Sequence, residues 1–157
     1  MYTLNHSIEK NVIASDGAYL DAHGLHPLEQ YLQSYTARLG AYHHLRDESP
    51  KYVLQALQKL GQAHPDLIKT HGKRCQYDMT EVVRYIALSV LRDDETFFVE
   101  QMMSWLDTII LAHKRTNQCA SAYRYLQEIM EASLPPAESS LIRPYLDKVI
   151  SSFQSHA

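Results

Sequence analysis

The segment Val82–Leu91 constrains the fold more than any other. It is apolar nearly all the way round a helix, and such a helix is stable only when neighbours cover it on most sides. The rest of the chain supplies those neighbours. Leu28, Tyr31, Leu32, Tyr35, Leu39 and Tyr42 recur at helical spacing, as do Val53, Leu54, Leu57 and Leu60. Phe98, Met102, Trp105, Leu106 and Ile109 make a third stripe, and Ile142, Tyr145, Leu146, Val149, Ile150 and Phe153 a fourth. Apolar positions at i, i+3 or i+4, and i+7 mark amphipathic helices, and no stretch alternates as a half-buried strand would. The expectation is an all-α fold of about seven or eight helices. One buried central helix favours a globin-like packing over a simple four-helix bundle.

The breaks between helices are expected near Asp21–His26, Arg46–Ser49, His64–Lys73, Arg92–Glu95, His113–Gln118 and Ser133–Pro136. Ser49-Pro50 reads as a helix start, a capping hydroxyl followed by proline in the first turn. Pro144 falls inside the last apolar stripe and is expected to kink that helix or mark its true start. No repeat or linker divides the 157 residues, so a single domain, 1–157, is expected.

Charge and composition narrow the function. A net charge of −3 argues against a dedicated nucleic-acid binder, which needs a basic face. No apolar run is long enough to span a membrane, and the first residues lack a signal-peptide pattern. Two distant cysteines, Cys75 and Cys119, do not suggest a disulfide framework. A reducing, cytoplasmic compartment is the expectation. There is no nucleophile elbow, phosphate-cradling glycine loop or paired zinc ligation, so an enzyme is not expected.

The chemistry concentrates in Arg74-Cys75-Gln76-Tyr77-Asp78, read as the start of the central helix after a short basic loop, Asp66 to Lys73. Cys75 and Asp78, three positions apart, share one helix face. That pairing suits a long planar ligand tethered at one end and hydrogen-bonded in its middle, with Arg74 as a cation for an acidic tail. On their own the two residues read first as a partly exposed thiol and a first-turn aspartate favouring the helix dipole. Met79, Val82 and Ile86 lie on the Cys75 face, either against a ligand or in the core. Cys119 reads as a small buried hydrophobe. Asp93-Asp94-Glu95 reads as a solvated turn capping the next helix, and Lys73-Arg74 and Lys114-Arg115 as surface pairs.

The order and spacing of these segments resemble phycobiliproteins of the phycocyanin and allophycocyanin superfamily. Val12-Ile13-Ala14-Ser15-Asp16-Gly17-Ala18-Tyr19-Leu20 resembles the end of that family's first helix. Cys75-Gln76-Tyr77-Asp78 with Arg84 resembles its Cys-Ala-Arg-Asp and following arginine. Ala122-Tyr123-Arg124-Tyr125-Leu126 resembles Ala-Leu-Lys-Tyr-Ile, and Tyr145-Leu146-Asp147-Lys148-Val149-Ile150 resembles Tyr-Leu-Asp-Tyr-Ala-Ile. The resemblance implies N-terminal association helices (1–25) ahead of a globin core (26–157). It implies an open-chain tetrapyrrole, a bilin such as phycocyanobilin, bound by Cys75, Asp78, Arg74, Tyr77, Met79 and Val82. In that reading Cys75 forms the thioether, Asp78 accepts from the ring nitrogens and Arg74 pairs with a propionate. Arg84 stands on the opposite helix face and pairs with a carboxylate of the N-terminal helices, Asp16 being nearest. The partner is a second copy or a related subunit.

The chain also departs from that pattern. Tyr77 replaces an arginine and so removes one propionate partner; Glu81-Val82 replaces a tyrosine pair, and Gln118-Cys119 replaces aromatics. The stretch before Cys75 is about a dozen residues shorter than in light-harvesting members. The nearest class is that of divergent members and bilin-biosynthesis-associated globins. Two further readings compete: a pigment-free dimerising module, and a haem-binding globin with His113 as axial ligand.

Overall fold

The computed structural model describes residues 4–157, except the side chains of Leu111 and His113. Among these residues there is no strand. The helices are α1 (His6–Ala14), α2 (Ala22–Ala63), α3 (Pro65–Arg92), α4 (Glu95–Phe98), α5 (Ser104–His113), α6 (Thr116–Ser133) and α7 (Pro136–Ser155). A π-helical turn, Val99–Met103, joins α4 to α5 without a break. The described chain therefore forms six continuous rods, fewer than the seven or eight expected.

Much of that difference lies in α2. It runs 42 residues, roughly 63 Å at 1.5 Å per residue, straight through Pro27 and Pro50. Ser49-Pro50 is thus no helix start, and the break expected at Arg46–Ser49 is absent. An internal proline removes one backbone hydrogen bond and crowds the preceding turn. Here the helix continues because the residues on both sides of Pro50 are anchored in the core, Leu45 before it and Val53, Ala56 and Leu60 after it. Pro144 is likewise internal, since α7 starts at Pro136 and runs past it.

The second correction is at the start of α3. Residues 66–73 are helical, not a loop, and the reversal from α2 to α3 is confined to His64. Pro65 sits in the first turn, where its missing N–H costs nothing, and Asp66 follows at the positive end of the helix dipole. Cys75 therefore lies well inside a helix rather than at its beginning. The break expected near Asp21–His26 lies earlier, at residues 15–21, because Asp21 caps α2 and residues 22–26 are already helical. Those at Asp93–Asp94, Lys114–Arg115 and Leu134–Pro135 fall as expected.

The core follows the sequence stripes. Val82, Val83, Ile86, Ala87 and Val90 of α3 are buried, while Arg84 points out. They pack with Leu45, Val53, Ala56 and Leu60 of α2, and with Leu126, Met130, Leu146 and Val149 of α6 and α7. Phe98 meets Tyr145 edge-on at 5.1 Å, and Tyr123 stacks on Phe153 at 5.4 Å. Gly40 lets α7 come close to α2: a Cβ there would lie 2.7 Å from a Glu138 oxygen.

Two polar features tie distant parts together. Arg38 of α2 is only 1% exposed; it donates to the carbonyls of Leu91 and Tyr31 and to Ser34 Oγ at 2.9 Å, with its guanidinium 4.1 Å above the Tyr31 ring. A cation is thereby held at the negative end of α3, where the helix dipole favours it. At the other side, Asp94 caps α4 by accepting from Phe97 N at 3.0 Å. Its second oxygen accepts from His6 N at 3.1 Å and lies 2.5 Å from His6 Nδ1. Asn5 caps α1 through Ile8 N, and its amide donates to the carbonyls of Arg92 and Asp93. Asp93 occupies the left-handed region (φ 54°) and so ends α3. The turn predicted as solvated is thus the anchor of α1, because the structure brings Asn5 and His6 onto it and Asp94 becomes buried. No described helix is long and apolar enough to cross a membrane.

Candidate ligand cleft

Cys75, Asp78 and Met79 line a cleft between α3, α5 and α6. The spacing places them there. Positions 75, 78 and 79 are one turn apart, and positions 71 and 74 continue the same face toward the start of α3. His71 and Arg74 do line the cleft, as does Leu67 one turn earlier. The opposite walls come from Leu106, Ile109 and Ile110 of α5 and from Cys119, Ala122 and Tyr123 of α6. The cleft is narrow, with a cavity of about 80 Å³, and is partly open to solvent. Apolar walls with a few placed polar groups are the make-up of small-molecule and cofactor sites.

Those polar groups gather at the mouth. Arg74 Nε lies 3.0 Å and 3.1 Å from the two carboxylate oxygens of Asp78. Arg74 is half exposed, while the Asp78 side chain is 15% exposed. Arg115, at the start of α6, also lines the cleft. Burial pushes the Cys75 thiol above its ordinary pKa, and the Asp78 charge pushes the same way. Burial raises Cys119 to about 11, with the charges of Cys75 and Asp78 contributing. Both thiols are consequently protonated near neutral pH, and a protonated thiol is a weak nucleophile.

Of the six residues singled out in the sequence, four meet here: Arg74, Cys75, Asp78 and Met79. Tyr77 does not. It is 59% exposed on the other flank of α3, where it lines a separate groove with Glu81, Tyr85 and Trp105. Val82 is fully buried in the core. Arg84 pairs with Glu81 at 2.6 Å on its own helix rather than with Asp16. The Glu81 that replaces a family tyrosine is the local carboxylate that captures it. The His113 side chain lies outside the described residues, and the haem reading built on it falls there too.

The sequence reasoning missed His71, Arg115 and Cys119 as cleft residues. His71 falls in the stretch expected as a loop, Arg115 in an expected surface pair, and Cys119 reads from sequence as a small buried hydrophobe. Among the described residues no group of three or more His, Cys, Asp or Glu converges as a metal site.

The phycobilisome protein family matches residues 11–153, most of the chain. This chain belongs to the phycobilisome protein family. Its all-α, globin-like architecture is the one the resemblance implied. No curated protein matches it significantly. The cleft brings a thiol, a carboxylate and two guanidinium groups together over apolar walls.

Proposed function

We propose that this chain binds a linear tetrapyrrole in the cleft between α3, α5 and α6, as a pigment carrier, accessory factor or light-absorbing subunit. The observation that carries the reading is the meeting of Cys75, Asp78 and Arg74 at the mouth of one apolar cleft, in a chain of the phycobilisome family. Cys75 supplies the sulfur for a thioether. Asp78 accepts hydrogen bonds from ring nitrogens and favours their protonated state. Met79, Leu106 and Ile110 exclude water from the ring faces. Tyr77 and Val82 stand outside the cleft and take no part in this site. When bound, the pigment supplies visible absorption through its conjugated rings.

Association accompanies this reading. Residues 1–25 and the outer face of α2 serve as association helices ahead of the globin core. Ile13, Tyr19 and Leu32 are each more than 60% exposed there, an apolar row suited to a second copy or a related subunit. That row also favours the alternative, a pigment-free dimerising module.

The test is the absorption spectrum of the protein co-produced with phycocyanobilin, followed by denaturing electrophoresis with zinc fluorescence. An orange-red band with a fluorescent gel band that disappears in Cys75→Ala supports a covalent pigment on Cys75. Asp78→Asn is expected to weaken or blue-shift the red absorption, and an unchanged spectrum removes that role. A colourless protein overturns the tetrapyrrole reading in favour of the dimerising module.

A further inference from the structure

Three basic or weakly basic side chains line the cleft: His71, Arg74 and Arg115. Their commitments differ. Arg74, the residue the sequence marked for an acidic tail, is already engaged by Asp78. The arginine that the family carries two residues after the cysteine is Tyr77 here, and Tyr77 faces another groove. Arg115 is exposed and forms no ion pair among the described residues. Asp78 lines the same cleft, and Asp66 shares a neighbouring groove with Arg115.

We propose that Arg115 is the residue that positions the ligand's carboxylate side arms, on the wall of the cleft opposite Cys75 and Asp78. This rests on the tetrapyrrole reading above and deepens it. Arg115 lines the cleft that holds Cys75 and Asp78, from the start of α6, and also borders the turn between α2 and α3 at His64 and Pro65. A guanidinium is a planar donor fork matched to a carboxylate, and it loses little by exchanging water for one. Arg74 stands beside Asp78 on the α3 wall, whereas Arg115 comes from the start of α6. The placement is also visible from the thiols: the Arg115 charge opposes the upward shift of both Cys75 and Cys119. Arg115 therefore stands within electrostatic reach of both thiols, one on each wall.

The experiment compares binding of phycocyanobilin and its dimethyl ester to the apo protein, followed by visible absorbance and by quenching of Trp105. The wild type is expected to prefer the free acid by on the order of tenfold, the scale of one charge-assisted hydrogen bond. Arg115→Met should erase most of that preference while leaving ester binding unchanged, and the unchanged ester also reports an intact fold. Arg115→Lys should restore part of it, and Arg74→Met should have the smaller effect. On the apo protein, Arg115→Met should slow alkylation of Cys75 by iodoacetamide at pH 8, because a stabilising charge has gone. A preference for the free acid that survives in Arg115→Met overturns the role of Arg115 and leaves the tetrapyrrole reading standing. If the wild type binds neither acid nor ester, the tetrapyrrole reading itself fails, and the Arg115 assignment with it.

Discussion

Two aspartates sixteen positions apart, Asp78 and Asp94, show how differently one fold can use a carboxylate. Asp94 is 2% exposed on its side chain and accepts from donors on two different elements, His6 at the head of α1 and Phe97 at the head of α4. Burial alone would raise its pKa. The hydrogen bonds from the His6 ring, Phe97 N and His6 N outweigh burial and hold it below the ordinary carboxylate value. Asp78 sits at the edge of a cleft, and its ion pair is with Arg74, one turn earlier on its own helix. The contrast separates architecture from readiness. A carboxylate held by backbone donors from distant elements is committed to the fold. One paired with a half-exposed arginine on its own helix lines the cleft and stands within reach of a ligand.

The largest expected effect tests this contrast on stability. Asp94→Ala removes a helix cap and a charge-assisted anchor, and should cost about 2–3 kcal/mol in urea unfolding. Asp78→Ala should cost less than Asp94→Ala, because Asp78 caps no helix and its partner Arg74 is half exposed. Equal costs would break the distinction between the two sites.

A smaller effect follows from pH. The hydrogen bond to Asp94 raises the His6 pKa above its ordinary 6.5, against the opposing effect of desolvation. A raised histidine contributes stability fully below its unfolded pKa and loses it as pH climbs through the folded value. A depressed Asp94 contributes above its unfolded pKa, ordinarily 3.8, and loses it as pH falls through the folded value. The stability difference between the wild type and His6→Ala should therefore be greatest from about pH 4 to 6.5 and shrink above that range. A difference that is flat from pH 5 to 9 would show that the His6 charge does not matter to the anchor.

The mildest effect sharpens the picture of the cleft. Cys75 is the less buried thiol and should be alkylated first by iodoacetamide. At pH 8 a thiol of pKa about 11 is only about one part in a thousand thiolate, so Cys119 should lag well behind. Peptide mass spectrometry distinguishes the two, and modification of Cys119 first would mean that the cleft opens from the α6 side.

Much of this molecule was legible without coordinates. Helical periodicity identified the all-α class and most of the core stripes, because burial of one helix face is written as residue spacing. The spacing of Cys75 and Asp78 placed both on one face, and the same rule put Met79 beside them. Where reading failed, local signals and tertiary context disagreed. Ser49-Pro50 carries every mark of a helix start, yet α2 passes through it because buried residues on both sides hold the rod. The polar run 66–73 looks like a loop, yet it continues α3 and brings Leu67 and His71 to the cleft.

By itself, then, the sequence determined what repeats along one helix: the class of fold, the buried stripes, and the thiol–carboxylate pair. Tertiary structure alone decided what meets across helices. It turned Asp93-Asp94 from a solvated turn into the anchor of α1, and buried Arg38 against the end of α3. It also carried Arg115 and Cys119, about forty positions after Cys75, to the opposite wall of the same cleft. The physical reason is range. Periodicity and capping act over one or two turns, whereas a cleft exists only once several helices have packed.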